Sequence, residues 1–296
     1  MQDDIKQLKF AIIIPAFNEE KFIVQCLDSL TNQSLKPKSI IVVDDSSTDD
    51  TPKIIKKFHK EYNYISYVLN PSATLHEPGQ KVINAFYKGF EGLNINEYDV
   101  ICKFDADLIF PKNYLEKINK TFLKDNKIGL CGGFCSILEE NQWQTENLTN
   151  KDHIRGALKA YRINAFNDIG GLSKQMGWDT ADEIKLRYQG WEVQTIKGLS
   201  VKHLKSTGDS YTSQYYRKQG QVFYGLRYGM LLSIIAAFKM ANKRGEFLKG
   251  FLILKYFRQS KKKHLKFLLS HKEGQFLRQY RWKQIWKKLK ICNYSV

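Results

Sequence analysis

The apolar residues of this chain change period several times along the first two hundred positions. Phe10-Ala11-Ile12-Ile13-Ile14 is a continuous apolar run ended by Pro15, which reads as a buried strand. The residues after it repeat differently, with Phe22, Ile23, Cys26, Leu27 and Leu30 returning every three or four positions along one helix face. The alternation continues. Runs at 10–14, 40–44, 64–69, 99–104 and 128–134 predict strands, and the stretches near 19–32, 51–60, 79–92 and 113–123 predict helices. Strands joined by crossover helices point to an α/β, Rossmann-like domain with a mostly parallel sheet.

Polar chemistry gathers where the apolar runs stop. Val100-Ile101-Cys102-Lys103-Phe104 leads directly into Asp105-Ala106-Asp107, and Ile40-Ile41-Val42-Val43 leads into Asp44-Asp45-Ser46-Ser47-Thr48-Asp49-Asp50. Parallel sheets bind ligands beyond the carboxyl ends of their strands, so Pro15 to Glu19, Asp44-Asp45 and Asp105 to Asp107 are expected around one crevice. Two carboxylates one residue apart suit a hard divalent cation, Mg²⁺ or Mn²⁺, whose shell is completed by phosphate and water. A carboxylate after the second strand can accept hydrogen bonds from a nucleobase or ribose. Ser47, Asp49 and Asp50 read instead as caps for the helix that Thr51-Pro52 opens.

The set AIIIPAFNEE, IIVVDDSSTDDT and KFDADLIFP, in this order and at these separations, resembles the nucleotide-diphospho-sugar domain of the family 2 glycosyltransferases over about residues 8–205. That resemblance implies the GT-A fold, a nucleotide-diphospho-sugar donor, a divalent metal and an inverting transfer. It points to Pro15, Ala16 and Glu19 as lining of the nucleoside pocket and to Asp45, with Asp44, as its polar contacts. It makes Asp107 the metal-binding carboxylate and Asp105 its partner nearer ribose and diphosphate, with Ala106 leaving room for the sugar. Pro78-Gly79-Gln80-Lys81 resembles the stretch between donor and diphosphate, where Lys81 can offset phosphate charge or be a solvated lysine.

The later part of the domain is expected to supply the acceptor side. Trp178-Asp179-Thr180-Ala181-Asp182-Glu183 resembles the family's acidic helix start, whose carboxylate removes the acceptor proton. Asp182 is the favoured base, with Asp179 and Glu183 as alternatives. The match needs a one-residue shift, and Asp179 and Asp182 also suit the start of a helix dipole. Gly170-Gly171 either lets backbone approach a sugar or makes a turn, and His203 is either a further metal or diphosphate contact, as in some relatives, or structural.

Charge divides the chain in a way the motifs do not. The formal net charge is +17, yet the excess lies entirely after residue 207, where 20 Lys and Arg face 3 Asp and Glu. That suggests a division into a catalytic domain, 1–207, and a basic amphipathic helical region, 208–296, with an anionic partner. The segment Tyr228 to Phe238 is nearly all apolar, Phe251 to Leu254 continues with Tyr256 and Phe257, and Phe276, Tyr280, Trp282, Ile285, Trp286 and Leu289 share the final helix with Arg278, Arg281, Lys283, Lys287 and Lys288. Aromatic and basic residues on one helix suit the headgroup layer of an anionic membrane, so no nucleic acid is expected as partner. No run approaches the roughly 20 apolar residues that span a bilayer. Packing of these faces on the catalytic domain or a second subunit is the competing reading.

Five cysteines, Cys26, Cys102, Cys131, Cys135 and Cys292, are odd in number and mostly within apolar runs, which predicts free thiols in a reducing compartment. Cys131 and Cys135 lack neighbouring histidines, which argues against zinc. The start shows no basic-then-apolar leader pattern, and the polar segment Glu139 to Asn150 reads as a loop over the site. Bacterial relatives of the resembled family commonly act on lipid-linked acceptors. The implied function is therefore transfer of a sugar to a hydroxyl of a glycan or lipid-linked acceptor in cell-envelope polysaccharide or glycolipid synthesis, by a cytoplasmic protein peripheral on the inner face of the membrane. Two alternatives are a metal-dependent nucleotidyltransferase, which lacks the expected glycine-rich triphosphate loop after the first strand, and a membrane or nucleic-acid adaptor with a vestigial sugar-nucleotide site.

Overall fold

A computed structural model of the chain describes residues 6–71, 79–146, 152–205 and 213–293. Two compact units account for them: Met1–Lys174 with Gln189–Ser206, and Gln175–Tyr188 with Thr207–Val296.

The first unit is built on a nine-stranded mixed sheet. Its opening half alternates β1 (Phe10–Ala16), α1 (Ile23–Thr31), β2 (Ser39–Asp44), α2 (Thr51–Glu61), β3 (Ile65–Leu69), α3 (Gln80–Phe90) and β4 (Val100–Phe104). These four strands run parallel in the order β3-β2-β1-β4. Helices cover both faces, which is why Ile12, Ile13, Ile14, Ile40, Val42 and Val43 are all buried rather than alternating in and out. At Gly89 of α3 a Cβ would stand 2.7 Å from Val43 and 2.9 Å from Ile13, so the absent side chain sets how closely α3 lies on β1 and β2.

The chain then adds β5 (Leu108–Ile109), α4 (Tyr114–Lys124), β6 (Ile128–Glu139), β7 (Gln142–Thr145), β8 (Leu158–Arg162) and α5 (Ile163–Asp168), and later β9 (Glu192–His203). Here the parallel pattern gives way: β8 enters antiparallel between β4 and β6, and β5 pairs antiparallel with β9. The polar segment expected as a loop is instead a hairpin through Thr145. β6 and β7 pair from Ser136↔Thr145 to Glu139↔Gln142, and Glu140 and Asn141 make the turn with φ of +48° and +61°. Two consecutive positive φ values give a turn whose twist matches the strands. Residues 147–150 of that segment lie outside the described residues, as does Pro78.

The paired glycines after α5 resolve as a helix end. Gly170 and Gly171 have φ of +69° and +74°, their amides donate to Asn167 O and Phe166 O, and a Cβ on Gly171 would meet the Tyr87 hydroxyl at 2.4 Å. That hydroxyl donates to Leu172 O at 2.9 Å and accepts from Leu172 N at 2.6 Å.

The second unit is helical: α6 (Trp178–Tyr188), α7 (Ser213–Gly225), α8 (Gly229–Asn242), α9 (Lys249–Lys262) and α10 (His271–Asn293). The acidic helix expected within residues 1–207 groups here, because Ala181 and Ile184 of α6 share a core with Tyr216, Phe223, Leu226, Ile253, Phe257 and Leu277. The final helix is not free to lie in a headgroup layer along its whole apolar side. Phe276, Tyr280, Trp282 and Ile285 pack against that core, leaving Trp286 and Leu289 exposed. No helix among the described residues is long and apolar enough to cross a membrane.

Candidate functional site

The site residues of the first unit lie at the carboxyl ends of β1, β2 and β4. β1 is the topological switch point, with β2 on one side and β4 on the other. Connections leave in opposite directions there and open a crevice above the sheet. Pro15 and Ala16 are the last residues of β1, aligned with Val43 and Asp44 of β2. The loop after β1 is latched to the loop after β2: Asn18 N donates to Ser47 Oγ at 3.0 Å, Thr48 N to Asn18 Oδ1 at 2.8 Å, and Glu19 N to Thr51 Oγ1 at 2.7 Å. The N-cap position of α2 is Asp50, which makes no side-chain cap bond; Asp49, just before it, accepts from Thr51 N at 3.0 Å, and Ser47 is taken up by Asn18 rather than by the helix.

Asp44 and Asp45 are both buried but do different things. Asp44 accepts from Ser47 N at 3.0 Å and from the Tyr67 hydroxyl at 3.2 Å, so one oxygen holds the loop and the other ties β2 to a side chain of β3. Asp45 accepts from Asn70 Nδ2 at 2.6 Å through Oδ1 alone. Lys81 lies in the first turn of α3, its ammonium 5.7 Å from the centre of the Phe17 ring.

The Asp105-Ala106-Asp107 segment joins β4 to β5, and β5 brings it against the end of β9. Leu108 pairs with His203, and Leu204 N donates to Asp107 O at 2.9 Å. His203 Nε2 therefore lies 3.2 Å from Asp107 Oδ2, with both side chains buried. Burial alone raises the Asp107 carboxyl, but the hydrogen bond and charge of His203 and the charge of Lys205 hold it below its usual range. Burial lowers the His203 imidazole, and Asp107 more than reverses this. Lys205 also pairs with Glu19, 186 residues away in sequence. Burial lifts the Glu19 carboxyl above its ordinary value; Lys205 opposes the shift, and Asp107 and Asp105 add to it. Glu19, Asp105 and Asp107 thus feel one another's charge. Asp105 is paired from below by Lys103, a lysine within the wholly buried strand β4 and only 2% exposed.

Asp107 Oδ1 and His203 Nδ1 are buried and have no hydrogen-bond partner. Buried polar atoms are seldom left so. His203 turns Nε2, not Nδ1, toward Asp107, so a divalent cation between these two residues would be held by the Asp107 carboxylate and His203 Nε2 in place of their hydrogen bond. A second cluster adjoins His203: Cys135 Sγ, a Glu146 oxygen and a His203 nitrogen lie within 4.8 Å of one another. The fold thus supplies the histidine that the sequence spacing around Cys135 lacks. Burial pushes the Cys135 thiol up to about 12, and Arg155 sits 2.8 Å from Glu146. A protonated thiol and a carboxylate beside a guanidinium make a weaker donor set than Asp107 with His203.

In the second unit, Asp179 is in the first turn of α6, where a helix start favours it, whereas Asp182 and Glu183 lie further along and are buried. By position a role at the helix start fits Asp179 and not Asp182. Sequence reading missed Lys103, Lys205 and Asn70. For Lys103 a signal existed, a charged residue inside an apolar strand that leads into two aspartates.

The sequence pattern of Glycosyl transferase family 2 matches residues 11–173, more than half of the chain. The chain belongs to this family. Among curated relatives of this family 2 member is dolichyl N-acetyl-alpha-D-glucosaminyl phosphate 3-beta-D-2,3-diacetamido-2,3-dideoxy-beta-D-glucuronosyltransferase of Methanococcus voltae, 30% identical over 135 residues, which are 44% of this chain and 40% of the relative. The chain matches less than half the length of the first curated relatives. Among solved structures, Staphylococcus aureus TarS 1–349 in complex with UDP-GlcNAc superposes with a TM-score of 0.55 at 16% identity, over 86% of this chain and 72% of that one. The mannosyltransferase PcManGT from Pyrobaculum calidifontis, in complex with GDP-Man and Mn²⁺, gives 0.53 at 16% identity, over 74% and 63%. The family 2 chain has the GT-A fold.

Proposed function

We propose that this chain is an inverting glycosyltransferase that moves a sugar from a nucleotide-diphospho-sugar to a hydroxyl of a glycan or lipid-linked acceptor. The observation that carries the reading is the buried Asp107–His203 pair, with Asp107 Oδ1 left without a partner, at the carboxyl edge of a GT-A sheet. Family membership supports the reaction class, and the donors and acceptors named for relatives support the substrate class.

In this reading Asp45 accepts hydrogen bonds from the nucleobase or ribose, and Pro15, Ala16 and Glu19 line the nucleoside side. Asp105, neutralised by Lys103, faces ribose and diphosphate, and Lys81 offsets phosphate charge. Asp107 and His203 are the residues that would hold Mn²⁺ or Mg²⁺, which when bound supplies Lewis-acid stabilisation of the charge on the departing nucleoside diphosphate. Asp182 takes the proton of the acceptor hydroxyl as that oxygen bonds to the anomeric carbon, on the face opposite the breaking bond to diphosphate. Asp179 and Glu183 are its alternatives. We further read the protein as peripheral on the inner face of the cytoplasmic membrane, held by the basic helical region 208–296, with cell-envelope polysaccharide or glycolipid as its product.

The test is binding and slow hydrolysis of UDP-, GDP- and dTDP-sugars, with and without Mn²⁺, by the wild-type protein, Asp107→Asn and Asp182→Asn. Metal-dependent binding of one nucleotide class that Asp107→Asn abolishes is the expected result. Asp182→Asn should bind donor normally and fail to transfer; normal turnover by it would remove Asp182 as the base. Absence of binding to every donor would overturn the transferase reading.

A further inference from the structure

We infer that the helical unit meets an anionic lipid bilayer through the outer face of α8 and the tip of the α8–α9 hairpin, with α10 contributing charge rather than insertion. This rests on the membrane part of the proposed function and adds the contact surface to it.

α8 is apolar on both sides. Leu232, Ser233, Ala237 and Ala241 face the core of the unit, whereas Met230, Leu231, Ile234 and Ile235 are exposed, and Lys239 is the helix's single charged residue. A helix apolar all round is normally buried or bound to an apolar phase, yet Leu231 is 60% exposed. The helix ends where Gly245, at φ +69°, lets Gly245 N and Glu246 N bond back to Asn242 O and Ala241 O. The chain then turns through Phe247 and Leu248 into α9. Leu248 is 76% exposed and Phe251 61%.

The two exposed regions are continuous. The Phe238 ring lies 4.8 Å from that of Phe247 and 5.0 Å from that of Phe251, and Gly250 lets α9 approach it closely, a built Cβ standing 2.7 Å from the ring. One apolar surface therefore runs from Leu231 through Ile234, Ile235 and Phe238 to the hairpin tip. Soluble monomers rarely expose contiguous surfaces of this kind without a partner.

Charge chooses the partner. Lys239, Lys243, Lys249 and Lys255 belong to this hairpin, against one acid, Glu246, whose carboxylate is engaged by the Tyr216 hydroxyl. Burial and the positive charges of Lys288, Lys243 and Arg281 hold the Lys239 ammonium below its ordinary value, so cations from α8, its end and α10 crowd one another beside the apolar face. An anionic headgroup layer relieves that repulsion while the acyl boundary takes up the exposed side chains. A second copy of the chain would bring the same cations together again.

The experiment is co-sedimentation of the full chain with vesicles of mixed phosphatidylcholine and phosphatidylglycerol, and with phosphatidylcholine alone. It compares wild type, Leu248→Ser/Phe251→Ser and Trp286→Ser/Leu289→Ser, with circular dichroism and donor hydrolysis as checks that each variant folds. Wild type should prefer the anionic vesicles, the hairpin variant should bind them at least about tenfold more weakly, and the α10 variant should change by less than about threefold. Wild type that ignores both vesicles overturns the membrane reading and this inference together. A folded hairpin variant that binds as wild type does overturns the inference and leaves the membrane reading standing. A wild-type dimer in sedimentation equilibrium that the hairpin substitutions dissociate, without vesicle binding, assigns the surface to a second copy and also overturns it.

Discussion

Lys103→Met tests whether the acidic carboxyl edge of the sheet depends on a buried countercharge. Lys103 pairs with Asp105 from inside β4, and its antiparallel neighbour across the ladder to β8 is Lys159, also buried. Methionine keeps the apolar stem and removes the charge. Breaking a fully buried pair by deleting one partner costs about 3–5 kcal/mol. The Asp105 side chain is 33% exposed, so water recovers part of its solvation. Relief of repulsion between two lysines on facing strands returns a further ~0.2–1 kcal/mol. The net expectation is a loss of about 1–3 kcal/mol in the first unit. Because the protein has two compact units, a single global unfolding curve mixes them; amide hydrogen exchange read on peptides covering β4 and β8 isolates the effect. Exchange there should speed up roughly tenfold to a hundredfold. The double variant Lys103→Met/Asp105→Asn should recover more than half of the loss, since no unpaired carboxylate remains. Exchange in Lys103→Met within about twofold of wild type would show that Asp105 is adequately solvated without its lysine, and the argument for a buried countercharge would fail.

Other substitutions probe other parts of the same structure. Asp107→Asn should weaken Mn²⁺ binding in the presence of a nucleoside diphosphate by at least about 10–100-fold in titration calorimetry. Gly170→Ala and Gly171→Ala both force a side chain into the left-handed region, about 1–2 kcal/mol each. Only Gly171→Ala also drives a Cβ into the Tyr87 hydroxyl, so it should lose clearly more thermal stability than Gly170→Ala. Glu140→Asn in the β6–β7 turn should stabilise the hairpin by up to about 1 kcal/mol, because asparagine takes the positive φ of that position more readily than glutamate; slower exchange across 136–145 is the readout.

The half of the fold built from β1 to β4 was legible because buried parallel strands are unbroken apolar runs and their covering helices repeat every three or four residues. The other strands carry no such mark. β5 has two residues, β7 is exposed along its whole length, and β9 contains register shifts against β6 that break any simple alternation. The carboxylates at the carboxyl edge of the sheet could be found because they follow apolar runs directly. Lys205 could not, since a lysine paired with Glu19 across the fold looks the same in sequence as a solvated one. The final helix misled for a related reason. Its aromatic and basic residues have the composition of an interfacial helix, but the core that takes up Phe276, Tyr280, Trp282 and Ile285 includes residues of α6 and α7, far away in the chain.

The short ladder between β5 and β9 also sets an order of events during synthesis. A chain that has left the ribosome only as far as α5 already contains Glu19, Asp105 and Asp107, but neither His203 nor Lys205, whose positive charges lie beside them in the finished fold. Until β9 arrives, β5 has no partner strand and three acidic groups lack two of their neighbours. The carboxyl edge that carries these acidic groups is therefore completed by nearly the last residues of its unit to emerge, and under the proposed function binding of a nucleotide-sugar would report that the whole sheet has closed.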